Sequence, residues 1–416
     1  MGAAKTVAGQ STEMPEIAEA LGRMEALLRA VGTEPLALDE AVGRVCAGTL
    51  AARLDAPPFA VAAMDGYALR WADADGPLRC RGVARAGDPV GAPVLPGTCR
   101  RIFTGAPVPP GADTVVVQEL AEVAGEQVRI LAGAEARRHI RPAGSNLRAG
   151  DPVVQPGIRL TARHVGLIAA AGHGEVVVHR RPRVAILSTG NELSDRFAAD
   201  RATQILDTNR PTLKALVRAW GGVPLDLGIV PDEPGALSAT LARALGAGDV
   251  DLLVSSGGAS VGEFDYVGPS LTALGFEPAF RKVRMRPGKA TLFGRIDGLP
   301  VLGLPGNAVA ALVSALIFLR PALSLLAGAG RAALPEEQAV LATPLPATGP
   351  RTTILRGHLG RGANGGPTFA ALADQDNAML SGLAAADALA LRPADAPPAR
   401  TGEPVAIVRF DRAPGF

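Results

Sequence analysis

Three short loops carry residue types suited to holding a phosphate. "STGNEL" (Ser188–Leu193) contains Thr189, Gly190 and Glu192. "SSGGASVGEFD" (Ser255–Asp265) contains Ser256, Gly257, Gly258, Ser260 and Gly262 and ends on Glu263 and Asp265. "GLPGNAVA" (Gly303–Ala310) contains Pro305, Gly306 and Asn307. Glycine lets backbone N–H groups approach an anion, and a helix N-terminus adds a favourable dipole. Glu192, Glu263 and Asp265 are oxygen ligands suited to a hard cation such as Mg²⁺ on that phosphate. One glycine-rich loop alone is ordinarily a turn; three, two of them with acids, point to a nucleotide or phosphate site. Within these three loops neither G-x-G-x-x-G nor G-x-x-x-x-G-K-[ST] occurs, so the phosphate is held in another mode.

A second constellation is basic. In "RKVRMRPGK", Lys282, Arg284 and Arg286 alternate, so on a strand they share one face, and Lys289 follows a proline–glycine turn. The plain alternative is a solvated edge strand. Yet only four of the 42 basic residues are lysines, and two stand here beside the phosphate loops. That favours an oxyanion site. In the N-terminal half, Asp65 of "AAMDGYAL" and Thr104 of "RIFTGAPVP" sit beside glycines and, taken alone, are turn formers.

Positioning these residues requires particular elements. From Pro182 the pattern alternates strand and helix: "RVAILS", "DTNRPTLKALVRAWGG", "VPLDLGIV", "EPGALSATLARALG" and "VDLLVS". This predicts an α/β sheet with largely parallel strands, and such sheets bind ligands beyond the carboxyl ends of their strands. All three loops leave strands at that edge. Residues 15–49 are expected to be largely helical, capped by Ser11 or Thr12. Residues 57–130 form short strands between Pro/Gly turns. The chain after Arg331 is expected to be a small barrel or sandwich. "AVAALVSALIFLRPALSLLAGA" is expected to be a buried helix that kinks or ends at Arg320–Pro321 rather than a membrane span.

Composition narrows the classes. The 416 residues are 48% hydrophobic and 20% charged, which suits two to four globular domains. A net charge of +2 and 4% aromatic residues argue against nucleic acid and membrane partners. Cys46, Cys80 and Cys99 are far apart in sequence, so no disulfide framework and a reducing, cytoplasmic setting are expected. The five histidines have no zinc-ligand spacing. The N-terminus has no apolar h-region, so no signal peptide is expected.

Together, "AMDGYAL", "RIFTGAPVP", "ILSTGNEL", "DTNRP", "SSGGASVGEFDY", "RPGKATLFG" and "GLPGN" resemble the molybdopterin molybdotransferase family, MoeA and the E domain of gephyrin, in order and spacing. The resemblance implies a homodimer of four-domain chains. An elongated mixed α/β domain is split over 11–54 and 147–181, and a β-rich domain covers 55–146. The central α/β domain, like MoaB and MogA, covers 182–330, and a small C-terminal β-barrel domain covers 331–416. It implies Mg²⁺-dependent insertion of molybdate into adenylylated molybdopterin, with release of AMP. An adenylyltransferase partner and recipient molybdoenzymes follow from the same resemblance. By position, Asp65 and Thr104 match active-site residues, and Glu192, Asp232 and Asp265 match acids of the cleft. Glu192 and Asp265 are the expected metal ligands. Lys282, Arg286 and Lys289 match the basic group, with arginine at 286 where lysine is usual, and Arg356 matches an arginine facing the oxyanion.

Some positions depart from that pattern. Ser145 and Asn146 stand where a glutamate and an aspartate are usual, Ala308 and Ala310 for proline and serine, and Asn377 for serine. Losing the serine hydroxyl at 310 is expected to weaken molybdate binding by about 1 kcal/mol. These changes keep two alternatives open: a non-catalytic molybdopterin-binding scaffold or chaperone, and an adenylyltransferase-like paralogue.

Overall fold

The computed structural model describes residues 14–195, 204–233, 235–246, 250–257, 267–331, 336–363 and 365–412. Ser11 and Thr12 lie outside the described residues. The first helix, α1 (Ile17–Leu27), follows Glu16 as N-cap. Helix does not extend to residue 49: Thr33–Ala37 is a strand and Leu38–Glu40 a 3₁₀ turn. The apolar spacing of α1 stops at Gly32, and Pro35 lacks the N–H an α-helix would use.

By its internal contacts the chain divides into two units. One comprises Pro35–Val42 and Cys46–Val178. Its sheet has strands β1 (Gly66–Leu69), β2 (Leu78–Ala84), β3 (Thr98–Ile102), β4 (Thr114–Val117), β5 (Ala121–Ala124) and β6 (Gln127–Ile130), in the order β4-β1-β3-β2-β6-β5. Its neighbours are antiparallel except for β2 and β3, which run parallel. Tyr67, Leu69, Leu78, Cys99, Val116 and Val128 pack on one face. The helix α2 (Ala162–Ala170) opens on a capping box of Thr161 and His164 and covers a separate core with Cys46, Val154 and Ile168.

The other unit comprises residues 1–34, 43–45 and 179–416. Its elements are β7 (Arg183–Thr189), α3 (Asn209–Ala219), β8 (Val223–Val230), α4 (Ala236–Gly246), β9 (Leu252–Ser256), α5 (Val267–Ala273), β10 (Glu277–Phe280), β11 (Met285–Arg286), β12 (Leu292–Ile296) and β13 (Leu299–Leu304). The sheet order is β8-β7-β9-β13-β12-β10. The pairs β8–β7, β7–β9 and β9–β13 are parallel, and β12 pairs antiparallel with both β13 and β10. Helices on both faces explain the unbroken apolar runs. Val184, Ile186, Leu252 and Val254 join a core with α1 and α3, while Ala185, Leu187 and Leu253 pack with Leu237 and Leu241 of α4.

Ala308–Leu326 is one helix, α6, with mean hydropathy 2.1; 83% of it is buried inside the protein. It is long and apolar enough to cross a membrane, but its side chains are committed to the core. Arg320–Pro321 does not end it. Ala315–Leu319 forms a π turn in which the Arg320 N–H donates to the Ala315 carbonyl, and the wider turn accommodates Pro321.

The C-terminal segment is a closed barrel. Its strands β14 (Glu336–Leu341), β15 (Thr352–Arg361), β16 (Pro367–Ala371), β17 (Ala388–Arg392) and β18 (Pro404–Arg409) follow the order β15-β16-β14-β18-β17, and β15 pairs again with β17. Closure leaves these five strands no free edge. The short strand β11 lies parallel to the start of β15.

Candidate active site

The three glycine loops leave three adjacent parallel strands, β7, β9 and β13, at their carboxyl ends. Ser188 pairs with Ser256, and Ser256 with Leu304. The Gly257 N–H donates to the Leu304 carbonyl (3.2 Å). Gly257 has φ +92°, and a β-carbon there would stand 2.6 Å from the Thr189 carbonyl oxygen. Only glycine lets these strand ends close so tightly. Gly258, Ser260, Gly262, Glu263 and Asp265 lie outside the described residues.

Asn209, at the start of α3, ties two of the loops together. Its Nδ2 donates to Ser256 Oγ (2.8 Å) and to the Gly306 carbonyl (2.7 Å). Ser256 Oγ donates to the Pro305 carbonyl (3.3 Å). Asp207 accepts the N–H groups of Asn209 and Arg210, so it supplies the polar cap of α3 from one residue before the N-cap, Thr208. Arg210 bonds Asp207 and Asp226, and Lys214 also reaches Asp226. Burial alone would raise the Asp226 pKa, but the bonds from Lys214 and Arg210 outweigh it and bring it to about 2. Asn209 was not among the site residues expected from sequence; its signals were its place in "DTNRP" and a carboxamide at the first turn of an apolar-faced helix.

Buried oxygens along the same edge remain unsatisfied. Ser188 Oγ, Thr189 Oγ1, Ser255 Oγ and Asn209 Oδ1 find no hydrogen-bond partner among the described residues. Buried polar groups are normally satisfied, so such a cluster is suited to a polar ligand. Glu192 is exposed beyond Gly190. Asp232 is half-buried, and its N–H donates to Asn191 Oδ1 (3.1 Å). Burial raises the Asp232 carboxyl above the usual range, and the negative charge of Glu192 adds to the shift. No group of three or more His, Cys, Asp or Glu with metal-ligand geometry occurs among the described residues.

The basic stretch is organised around a turn. Val283 and Met285 are buried, while Lys282 and Arg284 are half-buried and Arg286 exposed. Only Met285–Arg286 is strand: the Arg284 N–H donates to the Pro15 carbonyl and the Met285 N–H to the Val283 carbonyl, and the Arg284 guanidinium donates to the Pro350 carbonyl and pairs with Glu16. Lys282, Arg286 and Lys289 have no acidic partner among the described residues. The Val283 N–H donates to the Lys289 carbonyl, closing the turn. Thr291 Oγ1 donates to the Gly288 carbonyl (2.8 Å) and accepts from Ser314 Oγ (3.0 Å) on α6. Gly288 has φ +111°, and a β-carbon there would stand 2.5 Å from Met285 Cε and 2.7 Å from Ser314 Oγ. The turn bearing Lys289 is thus pinned to the helix that Asn307 opens.

Arg356 does not present its guanidinium outward. It is 2% exposed and donates to the carbonyls of Met379 (2.9 Å), Asp376 (3.0 Å) and Asp374 (3.2 Å). Gln375 bonds the Arg356 backbone on both sides. This ordered segment places Asn377, whose carbonyl accepts the Val309 N–H in the first turn of α6. Ala310 is 4% exposed, in the core.

In the other unit, Asp65 and Thr104 meet at one sheet edge. Asp65 Oδ1 accepts the Thr104 N–H (2.8 Å) and hydroxyl (2.7 Å). The backbone bond from Thr104, then its hydroxyl, hold the carboxyl below the usual range, with Arg101 adding a smaller pull.

A doubly covered parallel sheet with polar loops at its carboxyl edge, followed by a closed barrel, has the architecture of multidomain α/β enzymes. Family models match in chain order: the MoeA N-terminal region (domain I and II) over residues 15–172, a probable molybdopterin binding domain over 185–325, and the MoeA C-terminal region (domain IV) over 338–410. A molybdopterin molybdenumtransferase from Nostoc sp. is 39% identical over 71% of this chain and 70% of its own length. Molybdopterin molybdenumtransferase 1 from Mycobacterium tuberculosis is 32% identical over 95% of this chain and 98% of its own. The crystal structure of a molybdopterin biosynthesis MoeA protein from Pyrococcus horikoshii superposes with TM-score 0.81 at 26% identity, covering 96% of this chain and 100% of that one. The chain belongs to the MoeA, or molybdopterin molybdenumtransferase, family.

Proposed function

We propose that this protein is a molybdopterin molybdotransferase, taking adenylylated molybdopterin and molybdate and releasing AMP as molybdenum is transferred to the dithiolene. The observation that carries this reading is the shared anchoring of two chemistries: the turn of Lys289 and the third glycine loop both depend on α6. The loops at the ends of β7, β9 and β13 supply N–H groups and hydroxyls for the phosphoanhydride. Lys282, Arg286 and Lys289 supply positive charge for a tetrahedral oxyanion. Arg356 acts one step removed, by holding the segment of Asn377.

Glu192 and Asp265 are proposed to hold Mg²⁺. The mutual repulsion of Glu192 and Asp232 fits a cation at this edge, because positive charge relieves it. When bound, the cation neutralises charge on the phosphoanhydride. The carboxylate of Asp65, kept ionised by Thr104, offers a fixed negative charge or a hydrogen-bond acceptor. An adenylyltransferase would supply the substrate, and molybdoenzymes would receive the product.

The test is AMP release from adenylylated molybdopterin with molybdate and Mg²⁺. Binding of the pterin nucleotide without AMP release would instead establish a scaffold. We further propose a homodimer whose clefts draw on both subunits. Mixing Asp65→Ala and Lys289→Ala proteins should then restore activity in exchanged heterodimers; no recovery would assign the cleft to one chain.

A further inference from the structure

Two of the three cysteines, separated by 18 residues in sequence, are neighbours in space. Cys80 on β2 and Cys99 on β3 are direct partners in the parallel register. Adjacent strands lie about 4.8 Å apart, within the range of Cα separations that a disulfide spans. Both side chains point to the same face, where Cys99 is part of the core with Tyr67, Leu69, Leu78, Val116 and Val128, and Cys80 packs against it. Directly beyond Cys80 the β2–β3 register slips before pairing resumes at Val83 and Arg101, so the pair sits at the step next to an irregularity. Cys99 is 1% exposed, whereas Cys80 is half-buried. Burial, with the Cys80 sulfur beside it, pushes the Cys99 thiol up to about 12. Cys46 belongs to a different core, and its Sγ contacts the Gly48 carbonyl (3.1 Å).

We infer that Cys80 and Cys99 form a dithiol modification site that reacts with small-molecule disulfides and closes to an intramolecular disulfide. The Cys80 thiolate attacks one sulfur of the small disulfide, forming a mixed disulfide and expelling one small thiolate. Cys99 loses its proton and attacks the Cys80 sulfur, forming the Cys80–Cys99 bond and expelling the second small thiolate. Two electrons pass from the protein dithiol to the small disulfide. The two protons released by the cysteines appear on two small thiols. Accessibility assigns Cys80 the first step. Proximity favours the second despite the high pKa of Cys99, because the attack is intramolecular. Cys46 has no cysteine partner among the described residues and stays reduced.

The full chain is incubated in native buffer with excess glutathione disulfide, then unfolded under alkylating conditions. The expected result is one alkylated thiol per chain instead of three, a mass lower by two hydrogens before alkylation, and a peptide linking residues 80 and 99. Cys99→Ser should stop at a glutathione adduct on Cys80, and Cys80→Ser should leave both remaining thiols free. Three free thiols in the wild type, or a glutathione adduct that persists on Cys80, would overturn the inference. The wild-type thiol count decides the matter even if a variant folds poorly.

Discussion

Asp65 and Thr104 lie 39 residues apart, yet one carboxylate oxygen of Asp65 accepts both the amide and the hydroxyl of Thr104. The pair joins the turn before β1 to the turn after β3. Because both bonds favour the ionised carboxylate, the pKa of Asp65 is depressed. The stabilisation they give is therefore present above the unfolded-state pKa and is lost as pH falls through the lower folded value. Thr104→Ala removes the hydroxyl but keeps the amide, so the Asp65 carboxyl should titrate at higher pH without reaching the unperturbed value. Carbon-detected NMR titration of Asp65 reads this directly, and an unmoved midpoint would show that the hydroxyl is incidental.

Asp232 shifts the opposite way. Its raised pKa, set by burial and then by Glu192, means the folded protein binds that proton more tightly. This contribution to stability is lost as pH rises through the folded value. Glu192→Gln should lower the Asp232 midpoint only in part, since burial remains. Mg²⁺ should lower it in the wild type and do so less in Glu192→Gln. A midpoint indifferent to Mg²⁺ in both proteins would remove the cation from this edge.

Lys289→Ala should raise the molybdate concentration needed for AMP release by roughly ten- to a hundredfold, as a charge-assisted hydrogen bond contributes about 1.5–3 kcal/mol. Lys289→Arg should recover only part, because a planar guanidinium replaces a compact ammonium. Molybdate titration of the three proteins decides it. Equal dependence in all of them would make Lys289 an ordinary solvated charge.

Arg356→Met should act first on stability. It strands the three carbonyls that the guanidinium now satisfies, at a cost of about 3 kcal/mol or more. Denaturant unfolding should show the loss, and pterin nucleotide binding should weaken as the Asn377 segment shifts away from Val309. A variant of normal stability with selectively impaired molybdate use would return Arg356 to the oxyanion.

The legible features were local ones. Glycine loops after apolar strands are written in consecutive residues, and β7, β9 and β13 end where those patterns place them, whereas the alternation of charge around Met285 yields strand only at Met285–Arg286. What escaped notice depends on pairings across the chain. Arg356 was matched to the oxyanion by resemblance alone, and no local pattern announces the carbonyls 18 to 23 residues further along that bind its guanidinium. The adjacency of Cys80 and Cys99 comes from a parallel register that no spacing rule announces. Arg320–Pro321 left a kink and a helix end equally open because a π turn leaves no compositional mark.

Gly257 and Gly288 will distort any saturation mutagenesis map of this protein. Neither has a side chain to contribute, yet each stands where an added carbon would collide with the Thr189 carbonyl or with Met285 and Ser314. Both will score as severely as a true ligand-binding position. The two kinds of loss differ in their dependence on chemistry. At the glycines alanine alone suffices for damage and larger residues deepen it, whereas at Lys289 or Asp65 even a change that conserves size is harmful. A footprint drawn from severity alone would overstate the binding surface by counting the hinges of its scaffold.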